Sequence, residues 1–177
     1  MSEIKETNNI LYRVEKNFPV NGVNFIDLTP TLTENNHFFE VSKALKELIL
    51  SKEQEIDYIV SPDARGFLWG TYIASLLHKP LIPIRKHGKL PPSSVMATTS
   101  DTTEYSNIKL DLPIVNIKNK RCIFIDDVFA TGGTFKACKK LINANGGILE
   151  EAYVILDIEI SLEKVNSLIK SKDIKID

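Results

Sequence analysis

Chemistry is densest between Arg121 and Thr134, where the chain reads Arg-Cys-Ile-Phe-Ile-Asp-Asp-Val-Phe-Ala-Thr-Gly-Gly-Thr. The neighbouring carboxylates Asp126 and Asp127 end an apolar run, and a turn of small residues follows: Ala130, Thr131, Gly132, Gly133 and Thr134. Glycines let successive backbone N–H groups point into one concavity, and a helix starting there adds partial positive charge. Such a turn can cradle a phosphate, with Thr131 and Thr134 adding hydroxyl donors. The two carboxylates are then placed to accept hydrogen bonds from the hydroxyls of an attached sugar. A nucleotide P-loop needs lysine before the final Ser/Thr of a GxxxxGK[ST] frame, and Gly133 stands in that place. A dinucleotide fingerprint needs GxGxxG, which is absent. A strand-to-helix turn with no ligand stays open as the plain alternative, although a turn built only for shape has no need of paired carboxylates.

Other stretches carry polar groups at similar positions. Pro62-Asp63-Ala64-Arg65-Gly66 follows a buried strand predicted over 57–61 and precedes a helix predicted from 67 to 77. Arg65 at that helix entrance offers a fork for two anionic oxygens, and the competing reading pairs it with Asp63 on the surface. After a short strand at 81–84 come Arg85, Lys86, His87, Gly88 and Lys89, a local positive patch. A solvated face explains many such runs; its place at a strand end points to an anion site, and His87 reads as a turn residue. From Leu90 to Leu112 the chain is Ser/Thr-rich and then alternates Ile108, Leu110, Leu112, as a long loop closing into a ribbon would. Glu104 sits in that loop. A carboxyl carried on a closing loop is desolvated, which raises its pKa and lets it donate a proton; left in the open it is merely solvated.

The elements that must position these groups alternate along the chain. Residues 1–10 read as a polar, mobile start and 10–18 as a short helix. A strand at 23–27 is broken by Thr29-Pro30. Phe38, Val41, Ala44, Leu45, Leu48 and Ile49 recur at helical spacing between 37 and 51. The run Cys122 to Ile125 is short enough for a strand buried on both faces, and Ala137, Cys138, Leu141 and Ile142 predict the next helix, stopped by Gly146-Gly147. A strand at 150–158 and a terminal helix on Leu162, Val165, Leu168 and Ile169 complete the series. Helices alternating with short buried strands predict an α/β fold with a mostly parallel sheet and helices on both faces. In such sheets the ligand loops gather at the carboxyl ends of the strands, where Asp63, Arg65, Lys86 and Asp126 all fall.

Composition frames the function. The chain has 177 residues, 43% hydrophobic and 25% charged, with a formal net charge of -1. That is about one domain's worth of core and no electrostatic footprint for nucleic acid or an anionic membrane. Cys122 and Cys138 read as core residues suited to a reducing compartment, and the three histidines are too scattered for a structural zinc set. With no signal peptide and no apolar run of membrane-spanning length, the expected location is the cytoplasm.

The segment Asp126-Asp127-Val128-Phe129-Ala130-Thr131-Gly132-Gly133-Thr134 resembles the 5-phosphoribosyl 1-pyrophosphate (PRPP) motif of the type I phosphoribosyltransferases. Arg85-Lys86-His87-Gly88-Lys89-Leu90-Pro91 and Glu104-Tyr105 resemble the adenine branch of that family, and the likeness runs over nearly the whole chain. It implies one domain over 1–177 with an N-terminal hood at about 18–36 and a flexible lid ribbon at about 90–112. It also implies purine salvage: transfer of the phosphoribosyl group from PRPP to adenine, giving AMP and pyrophosphate. The site residues follow by position. Asp126, Asp127, Ala130, Thr131, Gly132, Gly133 and Thr134 would hold the ribose and 5′-phosphate. Asp63, Ala64, Arg65, Lys86, Lys89 and Tyr105 would hold the pyrophosphate, the loop of Asp63 to Arg65 sometimes having an unusual peptide geometry in the family, with Arg85 reaching across a homodimer. Val23, Phe25 and Ile26 would meet the purine, and Glu104 would protonate its imidazole nitrogen. The implied cofactor is Mg2+, held mainly by substrate oxygens with no direct protein ligand. The chain departs from the family pattern at Ile26, where arginine is usual, at Ala64, where serine is usual, and at Pro92 in place of glycine. Two alternatives stand beside this reading: transfer to xanthine, guanine or hypoxanthine, and a non-catalytic sensor of PRPP or a nucleotide.

Overall fold

The computed structural model describes residues 3–99 and 109–175. A small antiparallel sheet opens the chain: β1 (Lys5–Thr7), β2 (Ile10–Lys16) and β3 (Asn24–Asp27), in the order β1-β2-β3. Where a mobile start and a short helix are predicted, the structure has a hairpin. Asn8 and Asn9, both at positive φ, make its two-residue turn, the conformation that a tight hairpin with the natural strand twist requires. The Asn-Asn pair is the signal for it in the sequence. Ile10, Leu11 and Tyr12 are all buried, which an amphipathic helical reading does not accommodate.

The short helix α1 (Thr29–Thr33) starts at Thr29-Pro30, where the strand reading breaks, and α2 (His37–Leu50) follows. Then come β4 (Tyr58–Pro62), α3 (Arg65–Leu77), β5 (Leu81–Lys86), β6 (Val95–Thr98), β7 (Leu110–Pro113), β8 (Arg121–Phe129), α4 (Gly133–Ala144), β9 (Ile148–Asp157) and β10 (Asn166–Lys170). The second sheet has the order β10-β9-β8-β4-β5-β7-β6. Pairing is parallel from β10 through β5, and β7 and β6 add an antiparallel edge. The mostly parallel α/β reading holds. The terminal helix does not: Leu168 and Ile169 belong to β10, which pairs with β9, and Leu162 is fully exposed. In a stretch this short, apolar residues three or four apart fit either period, and an open parallel edge beside it decides for the strand.

Each face of the large sheet is covered. Val41, Leu45 and Ile49 of α2 and Trp69 and Ile73 of α3 pack with Ile59, Ile123, Ile125, Tyr153 and Ile155. On the other face Phe135, Cys138, Leu141 and Ile142 of α4 pack with Val60, Phe124, Ala152 and Val154. The alternation of Ile123 and Ile125 with Cys122 and Phe124 along β8 is the period of two that sends successive side chains to opposite faces. From the centre of the sheet the chain moves outward in both directions, from β4 to β5 on one side and from β8 to β9 on the other. The carboxyl ends of β4 and β8 thus lie side by side at the point where the winding direction reverses, the place where open α/β sheets hold ligands.

Gly70 sets how closely α3 approaches that centre. A Cβ added there would lie 1.8 Å from Ser61 Oγ and 2.7 Å from Ser61 Cβ on β4. The hydroxyl can rotate away, but the Cβ cannot. Gly70→Ala is therefore expected to cost roughly 1–3 kcal/mol and lower Tm by about 3–10 °C, and Ser61→Gly in the same chain should recover part of the loss. An unchanged Tm for the single variant in thermal denaturation would show that the helix is free to shift outward.

Candidate active site

Where β4 and β8 end, the chain encloses a cleft of about 490 Å³. Its floor is the end of β8. The carboxylate pair does not stop this strand, as the apolar run alone predicts; pairing with β9 continues to Phe129, so Asp126 and Asp127 lie inside it. Asp127 is buried and Asp126 keeps a partial opening to solvent. Asp127 N donates to Asp126 Oδ1 at 2.9 Å, and Val128 N donates to Asp127 Oδ1 at 2.7 Å. Burial, and then the Asp127 charge beside it, hold the Asp126 carboxyl well above the usual carboxylate range, and the Arg65 charge only partly offsets them.

Arg65, the first residue of α3, supplies the compensating cation. Its Nε lies 3.0 Å from Asp127 Oδ2, and its guanidinium stands 5.1 Å from the centre of the Phe25 ring in the small sheet. The surface pairing with Asp63 is not formed. Asp63 is taken instead by Arg85, whose Nε donates to Asp63 Oδ2 at 3.0 Å. The Asp63–Ala64 peptide between these groups is cis.

The far wall is the glycine turn. Gly132 has φ +76°, and a Cβ there would come within 2.8 Å of Ser161 Oγ and 3.0 Å of Phe129 Cζ, so both backbone and space demand glycine. As the residue before α4, Gly132 has no side chain with which to cap the first turn, and Gly133 N makes only a long 3.4 Å contact with Thr131 Oγ1. The N–H groups and positive dipole end of α4 accordingly open into the cleft.

The cleft wall brings together Val23, Phe25 and Ile26 from the small sheet, Asp63, Ala64 and Arg65 after β4, Lys86 at the end of β5, and Asp126, Asp127 and Ala130 through Thr134. Arg85 and Lys89 are outside it, the first held by Asp63 and the second exposed to solvent. Glu104 and Tyr105 lie outside the described residues. Asn24 and Ile158 also line the wall, and the sequence reading does not single them out. Ile158 directly follows β9, so the strand-end rule that finds Asp63 and Asp126 also reaches it. A neighbouring apolar cavity of about 330 Å³ shares Val23, Asn24, Ile26, Ala130 and Ile158 with the cleft. The site thus has one end lined by the start of α4 and by Arg65, and an apolar end against β3.

Among the described residues no cluster of three or more His, Cys, Asp or Glu side chains could hold a metal ion, and no helix is long and apolar enough to cross a membrane. Both cysteines are free and buried, and burial, with the Asp57 charge adding to it, pushes the Cys122 thiol up to about 11. They are core residues, not nucleophiles.

Comparison with known proteins adds to this geometry. Residues 31–173 match the phosphoribosyl transferase domain family. The adenine phosphoribosyltransferase of Mycoplasma mobile is 35% identical over 170 residues, which cover 94% of this chain and 95% of the relative. The crystal structure of the adenine phosphoribosyltransferase from Thermoanaerobacter pseudethanolicus superposes with a TM-score of 0.80 at 30% identity, covering 90% of this chain and 95% of that one. The Saccharomyces cerevisiae enzyme, solved in complex with adenine and an imino-altritol 1,6-bisphosphate, superposes with a TM-score of 0.76 at 28% identity and covers 84% and 85%. With an acidic strand end, a glycine turn and a helix N-terminus facing one cleft, and with similarity over nearly its whole length, the chain belongs to the phosphoribosyltransferases, in their adenine phosphoribosyltransferase family.

Proposed function

We propose that the protein transfers the 5-phosphoribosyl group of PRPP to adenine, releasing pyrophosphate and forming AMP, as a purine salvage enzyme. The observation that carries this reading is the convergence in one cleft of the open N-terminus of α4, the Asp126-Asp127 pair and Arg65. The 5′-phosphate rests on Ala130 to Thr134, whose N–H groups and hydroxyls suit a dianion. Asp126 and Asp127 accept hydrogen bonds from the ribose hydroxyls. As pyrophosphate departs, positive charge develops on the sugar, and nearby carboxylates stabilise it, as in glycoside chemistry. Arg65, with Lys86 and the backbone of Asp63 and Ala64, receives the charge that builds on the leaving oxygens. To do so Arg65 exchanges Asp127 for the diphosphate.

The purine lies at the apolar end, against Val23, Phe25 and Ile26. The Ile26 side chain is buried in the core, so this residue meets the base through its backbone. Isoleucine in place of the family's arginine is compatible with that use. Glu104 acts as the general acid toward the imidazole nitrogen, and Tyr105 covers the sugar phosphate from the ribbon over about 90–112, which keeps water from the activated sugar. The donor chemistry of the wall fits Mg2+: Asp63, Asp126 and Asp127 offer oxygen alone, and two of the three are already paired with arginines, which leaves substrate oxygens and waters to complete the shell of a hard cation. Bound there, magnesium would neutralise the diphosphate as it leaves.

We place the whole chain, 1–177, in one catalytic domain, with a hood over 18–36. It works as a homodimer in the cytoplasm: free thiols fit a reducing compartment, and the exposed side chains of Phe39 and Leu68 suit a subunit contact.

Steady-state assays with PRPP and Mg2+ are expected to consume adenine on the order of 100-fold faster than xanthine, guanine or hypoxanthine. Equal or inverted rates would refute the choice of base, and no transfer to any purine would favour a sensor. Glu104→Gln should lower kcat about a hundredfold or more with PRPP binding by calorimetry nearly intact; lost binding would show that its role was misread. Asp126→Asn separates stability from activity. A raised carboxyl pKa in the folded state means that its charge destabilises the fold above the unfolded pKa of about 4 and does so fully above the raised value. The variant should therefore lose activity yet gain about 2–4 °C in Tm at pH 8, a gain that vanishes near pH 4. A lower Tm at pH 8 would show that this charge is compensated.

A further inference from the structure

Asp111 is a charged group that the chemistry above leaves unused. It sits in β7 and is 1% exposed. Its carboxylate accepts three hydrogen bonds: from His87 Nδ1 at 2.8 Å, from Thr98 Oγ1 at 2.7 Å and from Gly88 N at 3.0 Å. Burial opposes its ionisation, but the bonds from His87, Thr98 and Gly88 outweigh that and keep it below the usual carboxylate range. An ionised carboxylate has no proton to give, so the Nδ1 of His87 carries the hydrogen. The donors come from two different pieces of chain. His87 and Gly88 form the turn between Lys86 and Lys89, and Thr98 is the last residue of β6. Around them Gly88 has φ +78°, Lys89 N donates to Lys86 O at 3.1 Å, and His87 N donates to Lys109 O at 2.8 Å.

The register explains how a strand residue reaches a turn. Asp111 pairs with Arg85 of β5 on one side and with Thr98 of β6 on the other, so β7 lies between the strand that delivers Lys86 and the edge strand. Lys86, at the end of β5, lines the cleft, and the chain reverses immediately after it. Without a bond to Gly88 N and His87, that reversal would be held chiefly by two backbone hydrogen bonds. A fully ligated buried carboxylate is directional: each donor must stay within about 3 Å and in line, and a donor left behind is costly.

We propose that Asp111 is a positioning residue for the diphosphate end of the site: it fixes the Lys86–Lys89 turn so that Lys86 is presented to the leaving group. This rests on the phosphoribosyl-transfer reading. Asp111 touches no substrate itself, and its effect passes through Lys86. A residue that served only to hold the fold would change the fraction of active enzyme, and so apparent kcat, and would leave both KM values alone.

The test is a kinetic comparison of wild type, Asp111→Asn and Thr98→Val, with folding checked by circular dichroism and Tm. The amide of Asp111→Asn keeps the volume of the carboxylate but can no longer accept from all three donors. The KM of this variant for PRPP is expected to rise about tenfold to a hundredfold, with KM for adenine changed less than about twofold. Thr98→Val removes one donor and keeps the shape, so a rise in the PRPP KM of about threefold to tenfold is expected. In a Lys86→Met background Thr98→Val should add nothing further, because the group through which it acts is gone. If Asp111→Asn does not fold, the two Thr98→Val measurements decide the matter. An unchanged PRPP KM in Thr98→Val, an equal rise in the adenine KM, or a full additional effect in the Lys86→Met background overturns the inference. Failure of the underlying reading is seen separately, in wild type that transfers nothing from PRPP.

Discussion

Two carboxylates next to each other in a buried strand repel and lose hydration, and a fold that contains them needs a cation at a fixed place. Here that cation is Arg65, 3.0 Å from Asp127 and stacked against Phe25. One guanidinium therefore ties three parts of the chain together: the end of β8, the start of α3 and the small sheet. The compensation is incomplete, since Asp126 still bears the cost of burial and of its neighbour. The floor of the cleft is thus left short of positive charge.

The large sheet makes this constraint geometrically possible. Parallel strands begin and end at the same levels, so the loops after β4, β5, β8 and β9 emerge on one edge, and the reversal of winding between β4 and β8 keeps helices from covering the gap. Gly70 lets α3 lie close on β4, which brings Arg65 within reach of β8, and Gly132 lets α4 begin with its N–H groups facing the gap. The small sheet then supplies an apolar wall. Its hairpin turns on Asn8 and Asn9, and the burial of Ile10, Leu11 and Tyr12 anchors it to the core. An open helix N-terminus at one end and an apolar wall at the other are thus two consequences of one packing arrangement.

Interactions close in sequence are legible, and those that depend on a partner across the fold are not. The helix over His37–Leu50 and the strand-turn-helix around β8 and α4 rest on periodicity and glycine chemistry, and the structure has both, with pairing to β9 carrying β8 past its predicted end to Phe129. The strands at Ile10–Lys16 and Asn166–Lys170 read as helices from sequence because each is short and apolar at positions consistent with both periods, and a neighbouring strand edge makes the choice. The same limit applies to ion pairs. Spacing leaves Arg65 open to an anion or to a surface pair with Asp63; in the fold Arg85 takes Asp63 and Arg65 takes Asp127. Asp111 gives no signal, since a lone acid between Leu110 and Leu112 looks like the solvent side of a ribbon until a turn folds over it.

The amino-acid sequence by itself determined the kind of chemistry: carboxylates before a glycine turn, a basic turn after a strand, and an alternation of strands and helices that sends strand ends to one side. Residue type and local spacing suffice for these, because backbone conformation and hydrogen-bonding capacity are local properties. Only the tertiary structure decided which charge answers which, which carboxylate is buried, and whether a marginal segment is strand or helix. Those outcomes are set by distance and dielectric between groups far apart in sequence, and such quantities exist only once the chain has packed.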